Sequence, residues 1–159
     1  MKASLSPYNA DCTSILSPRT HQYEALSYVW GNPHETLPIY VDEDQFLVTV
    51  NLYAALLRLR DPSFERIIWV DAVCINQADK QEKEHQIQSI VKIYSQAHRV
   101  TVWLGQAADN SDRAVEEIRA AAGNNSTNPS NNETIQQAIL TLLQRPWFRA
   151  PLGKGVVAR

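Results

Sequence analysis

Apolar positions along this chain follow two periods, and the switches between period 2 and period 3.6 mark its elements. Tyr23-Glu24-Ala25-Leu26-Ser27-Tyr28-Val29 is dense in strand formers and runs into Trp30-Gly31-Asn32-Pro33, which predicts a buried strand ending in a loop. Ile39-Tyr40-Val41 and Phe46-Leu47-Val48-Thr49-Val50 flank the polar Asp42-Glu43-Asp44-Gln45, the pattern of a hairpin, expected at an edge of the fold. Asn51 stands where an N-cap belongs, ahead of Leu52, Leu56 and Leu59 at helical spacing, and Asp61-Pro62 closes that helix. Arg66-Ile67-Ile68-Trp69-Val70-Asp71 is too short and too β-branched for a helix and reads as a central strand.

From Asp79 the period becomes 3.6. Ile87, Ile90, Val91, Tyr94 and Ala97 are read onto one face, with Lys80, Glu84, Gln88 and Lys92 opposite, and Asp79 with Glu82 has capping-box spacing. Arg99-Val100-Thr101-Val102-Trp103-Leu104-Gly105 is a third strand of the same kind. Helices follow over Asp112 to Ala122, capped by Gly123, and over about Glu133 to Gln144, separated by a polar, Asn-rich loop at 123–134. Strand, helix, strand in repetition predicts an α/β fold, a mainly parallel sheet with flanking helices plus a β-hairpin.

Composition narrows the classes. The chain has 159 residues, 44% of them apolar, which suits one domain with its own core. Fifteen basic against 17 acidic residues leave a net charge of −2, with no basic excess to draw the protein to nucleic acid or an anionic membrane. Cys12 and Cys74 are too far apart for metal-ligand spacing, so no metal site is expected and a reducing, cytoplasmic setting fits. No apolar run approaches a membrane span, and the first residues lack the apolar core of a leader.

In a parallel sheet the carboxyl ends of the strands share one edge, the usual ligand crevice. Ser27, Tyr28, Trp30 and Gly31 after the first strand, and Asp71, Asn76 and Gln77 after the second, are brought there, with Gly105 and Gln106 after the third. Hydrogen-bonding groups beside an indole face suit a polar, ring-containing small molecule. The same residue types equally serve to cap turns and fill the layer between sheet and helix. Cys74 lies between Val73 and Ile75, where a cysteine ordinarily packs as a small hydrophobe, although a thiol nucleophile partnered by His21, His34, His85 or His98 is the alternative. Phosphate loops, nucleophile elbows and paired-histidine metal motifs are missing from the sequence.

Two runs carry a resemblance. Tyr23, Ala25, Leu26, Ser27, Tyr28, Trp30 and Gly31 spell Tyr-x-Ala-Leu-Ser-Tyr-x-Trp-Gly, and Trp69, Asp71, Cys74, Ile75, Asn76 and Gln77 spell Trp-x-Asp-x-x-Cys-Ile-Asn-Gln. Asn51, Leu52, Asp79, Glu82, Ile93, Tyr94 and Val102-Trp103-Leu104-Gly105 continue in register. In these features the chain resembles the heterokaryon incompatibility (HET) domains of filamentous fungi. The resemblance implies a HET domain over 22–148, an irregular lead-in over 1–21 and a divergent tail over 149–159. It implies a cytoplasmic role in non-self recognition and programmed cell death, through self-association or protein partners, with no required cofactor.

The family is also similar to Toll/interleukin receptor (TIR) domains, which implies a flavodoxin-like three-layer arrangement. It also supplies an enzymatic alternative, in which NAD is cleaved with the help of a glutamate. The family continues past Arg145-Pro146-Trp147-Phe148 towards Arg-x-Trp-x-x-Gln-Glu, whereas this chain reads Arg149-Ala150-Pro151-Leu152-Gly153. By that comparison the domain is C-terminally truncated or altered, no catalytic residue is identified, and NAD cleavage is impaired.

Overall fold

The structure is a computed structural model that describes residues 2–3, 23–41, 44–64, 66–77, 79–122 and 133–149, with main chain alone at 2–3, 80 and 82–87. The elements in chain order are β1 (Lys2–Ala3), β2 (Glu24–Tyr28), β3 (Thr36–Val41), β4 (Asp44–Thr49), α1 (Val50–Leu59), β5 (Ile68–Trp69), α2 (Asp71–Cys74), α3 (Lys80–Gln96), β6 (Arg99–Trp103), α4 (Ser111–Ala122), α5 (Glu133–Leu143) and α6 (Pro146–Arg149). Residues 123–132 of the Asn-rich loop with the Gly123 cap, the tail beyond Arg149, Cys12, His21 and the side chains of Lys80, Glu82, Glu84, His85 and Ile87 lie outside the described residues. Of the lead-in, Lys2–Ala3 pairs in parallel with β3, Lys2 opposite Tyr40.

The expected α/β architecture is present. A three-stranded parallel sheet has the order β5-β2-β6, and β3 and β4 form an antiparallel hairpin running from Thr36 opposite Thr49 to Val41 opposite Asp44. The middle strand is therefore β2. The Ile68–Trp69 strand, read from sequence as central, pairs only with β2 among the described residues and lies at an edge. A short apolar run does not reveal its place in the sheet, because order depends on which way each crossover travels.

Alternation along β2 divides the core into two layers. Leu26 and Tyr28 pack with Ile39, Val48, Leu52, Ala55 and Val70, which places α1 and the hairpin on one face. Tyr23 and Ala25 pack with Trp69, Ile75 and Ile93, which places α3 on the other. The hairpin covers a face through Ile39 and Val48, the one buried residue of each strand, and its other residues are exposed or half-buried. Full burial of side chains such as Leu26, Leu52 and Ile93 contributes about 1.5–3 kcal/mol each. A smaller third cluster joins α4 to α5 through Ala114, Ala138 and Leu142.

Two local readings change. Val91 is 77% exposed, and the helix buries Ile93. The inward stripe is Ile90, Ile93, Tyr94 and Ala97, the i, i+3, i+4, i+7 set, from which Val91 is displaced by one residue. Thr49, not Asn51, caps α1, its side chain accepting from Leu52 N–H at 3.4 Å. Asp79 does cap α3, accepting from Gln81 N–H at 2.9 Å.

Candidate site at the carboxyl ends of the strands

Asp71 is the first residue of the single turn α2, immediately beyond β5, and only 2% of it is exposed. Its Oδ2 accepts from Trp30 Nε1 at 2.8 Å and its Oδ1 from Ala72 N–H at 2.8 Å. Gln77 folds back so that its Nε2 donates to the Asp71 carbonyl at 3.1 Å. The Tyr28 hydroxyl is buried beside the same carboxylate and feels its charge, but makes no hydrogen bond of good geometry. Burial pushes the Asp71 carboxyl up to about 6, against the opposing pull of its hydrogen-bond donors. Desolvation, reinforced by the Asp71 charge, raises the Tyr28 hydroxyl as well.

These contacts bring Tyr28, Trp30, Asp71 and Gln77 together, with Gly31 next to Trp30 in the chain. Gly31 has φ +79°, a left-handed turn that takes the chain off the sheet. Ser27 points to the other face of β2, where its Oγ accepts from Trp147 Nε1 of α6 at 3.1 Å. Tyr94 of α3 donates to the neighbouring Leu26 carbonyl at 2.9 Å. Asn76 is exposed, its carbonyl accepting from Asp79 N–H at 3.2 Å in the turn into α3. The seven residues expected at one crevice are thus divided between an internal clamp, the opposite face of the sheet and the surface.

Asn51 is the residue that local pattern misplaces. Its Nδ2 donates to the Val29 carbonyl at 2.5 Å and its Oδ1 accepts from Trp103 Nε1 at 2.9 Å, so one carboxamide ties α1 to the ends of β2 and β6. Thr49 performs the capping, which leaves the Asn51 side chain for this bridge. Arg145 closes the β6 end, donating to the carbonyls of Leu104 at 3.0 Å and Ala108 at 3.3 Å. At the opposite end of β2, Arg66 forks onto Glu24 at 2.6 and 3.2 Å, and Thr101 adds a third bond to that carboxylate at 3.1 Å.

An open cavity of about 280 Å³ lies beside the clamp, lined by Asn32, Glu35, Val50, Asn51, Ala54 and Gln106. None of the seven candidates lines it, and only Gln106 was expected in the crevice. Asn32 and Glu35 lie in a polar loop stretch whose sequence carries no signal separating a lining residue from an ordinary turn. Cys74 packs with the Trp69, Ile75 and Ile93 cluster, and its Sγ accepts from Val70 N–H at 3.5 Å. Among the described residues no group of three or more His, Cys, Asp or Glu side chains is placed to hold a metal ion. No helix among them is long and apolar enough to cross a membrane.

The geometry defines an α/β module in which two motif runs, 41 residues apart at Trp30 and Asp71, lock against each other at the carboxyl ends of a parallel sheet. Residues 23–150 match the family model of the heterokaryon incompatibility protein (HET), and the chain belongs to that family. It is 39% identical over 119 aligned residues to heterokaryon incompatibility protein 6, OR allele, of Neurospora crassa. That alignment covers 67% of this chain and 17% of the relative, so the chain spans about a sixth of the length of the relative it matches. No solved structure matches it.

Proposed function

We propose that this chain is an effector module of fungal non-self recognition that triggers programmed cell death through self-association or binding to a protein partner. The observation that carries the reading is the match of residues 23–150, both motif runs included, to the HET family model, beside 39% identity to a heterokaryon incompatibility protein. The location of the motif residues favours an assembly role for the module. Trp30, Asp71, Tyr28 and Gln77 are spent on internal order, while β6 pairs only with β2 among the described residues and leaves Val100 and Val102 44% and 40% exposed. An edge strand with uncovered valines offers backbone and apolar surface to another chain.

The finer fold assignment belongs to the same reading. The β5-β2-β6 order is second, first, third among the sheet strands in chain sequence, with α1 and α3 on opposite faces. That is how a flavodoxin-like doubly wound sheet begins, and it supports the TIR-like assignment. Inducible expression in a fungal host, alone and fused to a chemically dimerised partner, tests the function. Death on dimerisation, abolished by Asp71→Ala, is expected; unimpaired growth of the dimerised, folded chain overturns the proposal.

A further inference from the structure

β6 is an edge strand without the features that ordinarily guard one. Among the described residues it pairs with β2 alone, so its other side has no strand beside it. Natural edges are blunted by brevity, proline, lysine or a bulge. Arg99-Val100-Thr101-Val102-Trp103 has no proline or lysine, and its register with β2 advances residue for residue from Glu24 opposite Arg99 to Tyr28 opposite Trp103, without a bulge. β5, at the other edge of the sheet, is only two residues long.

Parallel neighbours in register share a face, so Val100 and Val102 lie on the side of Ala25 and Ser27, which is the side of α3. α3 packs Ile93 against Ala25 but leaves both valines exposed. Trp147 extends their strip: its indole bonds to Ser27, the residue opposite Val102, and exposed Phe148 packs edge-on against it at 5.2 Å. On the opposite face Thr101 is tied to Glu24 and the Trp103 N–H to Asn51, while Arg99 is exposed.

What fits this edge follows from reading the strand backwards. Laid antiparallel to a second copy about a two-fold axis at Thr101, it opposes Arg99 to Trp103, Val100 to Val102, and Thr101 to itself. Two valines from each copy then form one apolar strip on a single face, and each Arg99 meets the indole of the other copy's Trp103, a cation beside an aromatic ring. The two Arg99 side chains stand four residues apart along the strands, about 14 Å, beyond the roughly 8–10 Å over which salt leaves charges in contact. An in-register parallel copy would instead set Arg99 beside Arg99, where like charges repel.

We infer that the β6 edge is a homodimer interface at which two copies of this chain join β6 to β6, antiparallel, into one continuous sheet with Thr101 on the two-fold axis. The inference rests on the self-association reading above and names the surface that carries it. Five residues a side is small against the roughly 20–30 of a standard interface, so the dimer is weak and responds to local concentration.

Sedimentation velocity on the full 159-residue chain, over roughly 10 to 500 μM, should show a reversible monomer–dimer equilibrium. Val100→Glu and Val102→Lys, both at exposed positions, should each weaken their own dimer roughly tenfold without moving the melting curve, because each sets two like charges diagonally across the axis. Mixed in equal amounts, the two variants should associate again, since the carboxylate at 100 then faces the ammonium at 102 of the other chain. Hydrogen exchange of β6 amides in the parent should slow as protein concentration rises. A monomer at every concentration overturns the inference, as does exchange in β6 that is slow and independent of concentration, which would mean that the chain covers its own edge. A dimer that neither variant weakens, or a mixture no stronger than its components, overturns the β6 interface and leaves self-association through another surface standing. The effector reading is judged separately, by death of the chemically dimerised chain, which needs no native interface.

Discussion

The indole N–H of Trp30 meets the Asp71 carboxylate at 2.8 Å and joins the loop after β2 to the turn after β5 inside the protein. With Ala72 N–H on its other oxygen, Asp71 satisfies two donors, both of which lose their partner if the carboxylate is removed. Leaving buried donors unpaired costs about 1–3 kcal/mol apiece. Asp71→Ala is therefore expected to destabilise the fold by roughly 2–4 kcal/mol. Asp71→Asn keeps one carbonyl acceptor and sheds the cost of a buried charge, and should be the milder change. Urea unfolding of the two variants checks the order, and equal losses would contradict it.

The same carboxylate gives stability a dependence on pH. Its folded value is about 6 against an ordinary 3.8, so the folded state holds the proton more tightly than the unfolded chain. The stability this contributes is fully present below about pH 3.8 and is lost as pH rises through about 6, an amount on the order of 3 kcal/mol. Glu24 works in the opposite sense: the Arg66 hydrogen bond lowers its carboxyl, so its contribution is present above the ordinary 4.5 and lost as pH falls through the folded value. Wild type minus Asp71→Asn cancels Glu24. That difference should fall between pH 4 and 7 in calorimetric or denaturant measurements, and a flat difference would exclude Asp71 as the titrating group.

Gly31 and Gly105 separate backbone strain from crowding. Both have positive φ, so an alanine at either is strained by roughly 1–2 kcal/mol. At Gly31 the new Cβ also meets the Asn51 Cβ at 3.3 Å, whereas at Gly105 its nearest neighbour is Arg145 Nη1 at 3.7 Å, an ordinary contact. Gly31→Ala should lower the melting temperature more than Gly105→Ala. The reverse order would mean that the Asn51 wall gives way at little cost.

Elements set by local periodicity were legible in the sequence. The strand through Tyr28, the strand through Trp103 and the long helix after Asp79 each carry their own period, and the structure has all three. What failed were properties held by distant residues. The edge position of Ile68–Trp69 depends on the direction of a crossover. At the site, hydrogen bonds tie Trp30 and Gln77 to Asp71, with Tyr28 buried beside that carboxylate. Ser27 was separated from them by the strand's alternation, which the sequence displays, and the link between Asn51 and Trp103 spans 52 residues with no local mark.

Asn51 and Thr49 permit a test in which adjacent positions exchange rank. From sequence, Asn51 is the cap of α1 and its loss should cost the usual cap value, about 1 kcal/mol. In the structure Thr49 caps through a long 3.4 Å bond, so Thr49→Ala should cost no more than that. Asn51→Ala removes the bonds to the Val29 carbonyl and the Trp103 indole together, and leaves two part-buried groups to find water. We expect a loss of roughly 2–3 kcal/mol for Asn51→Ala. Because Asn51 pins β6 as well as β2, its loss should also raise hydrogen exchange at Val102 and Trp103, which removal of a helix cap has no reason to do. If Thr49→Ala proves the more damaging and exchange in β6 is unchanged in Asn51→Ala, the bridge between α1 and the sheet carries no appreciable stability.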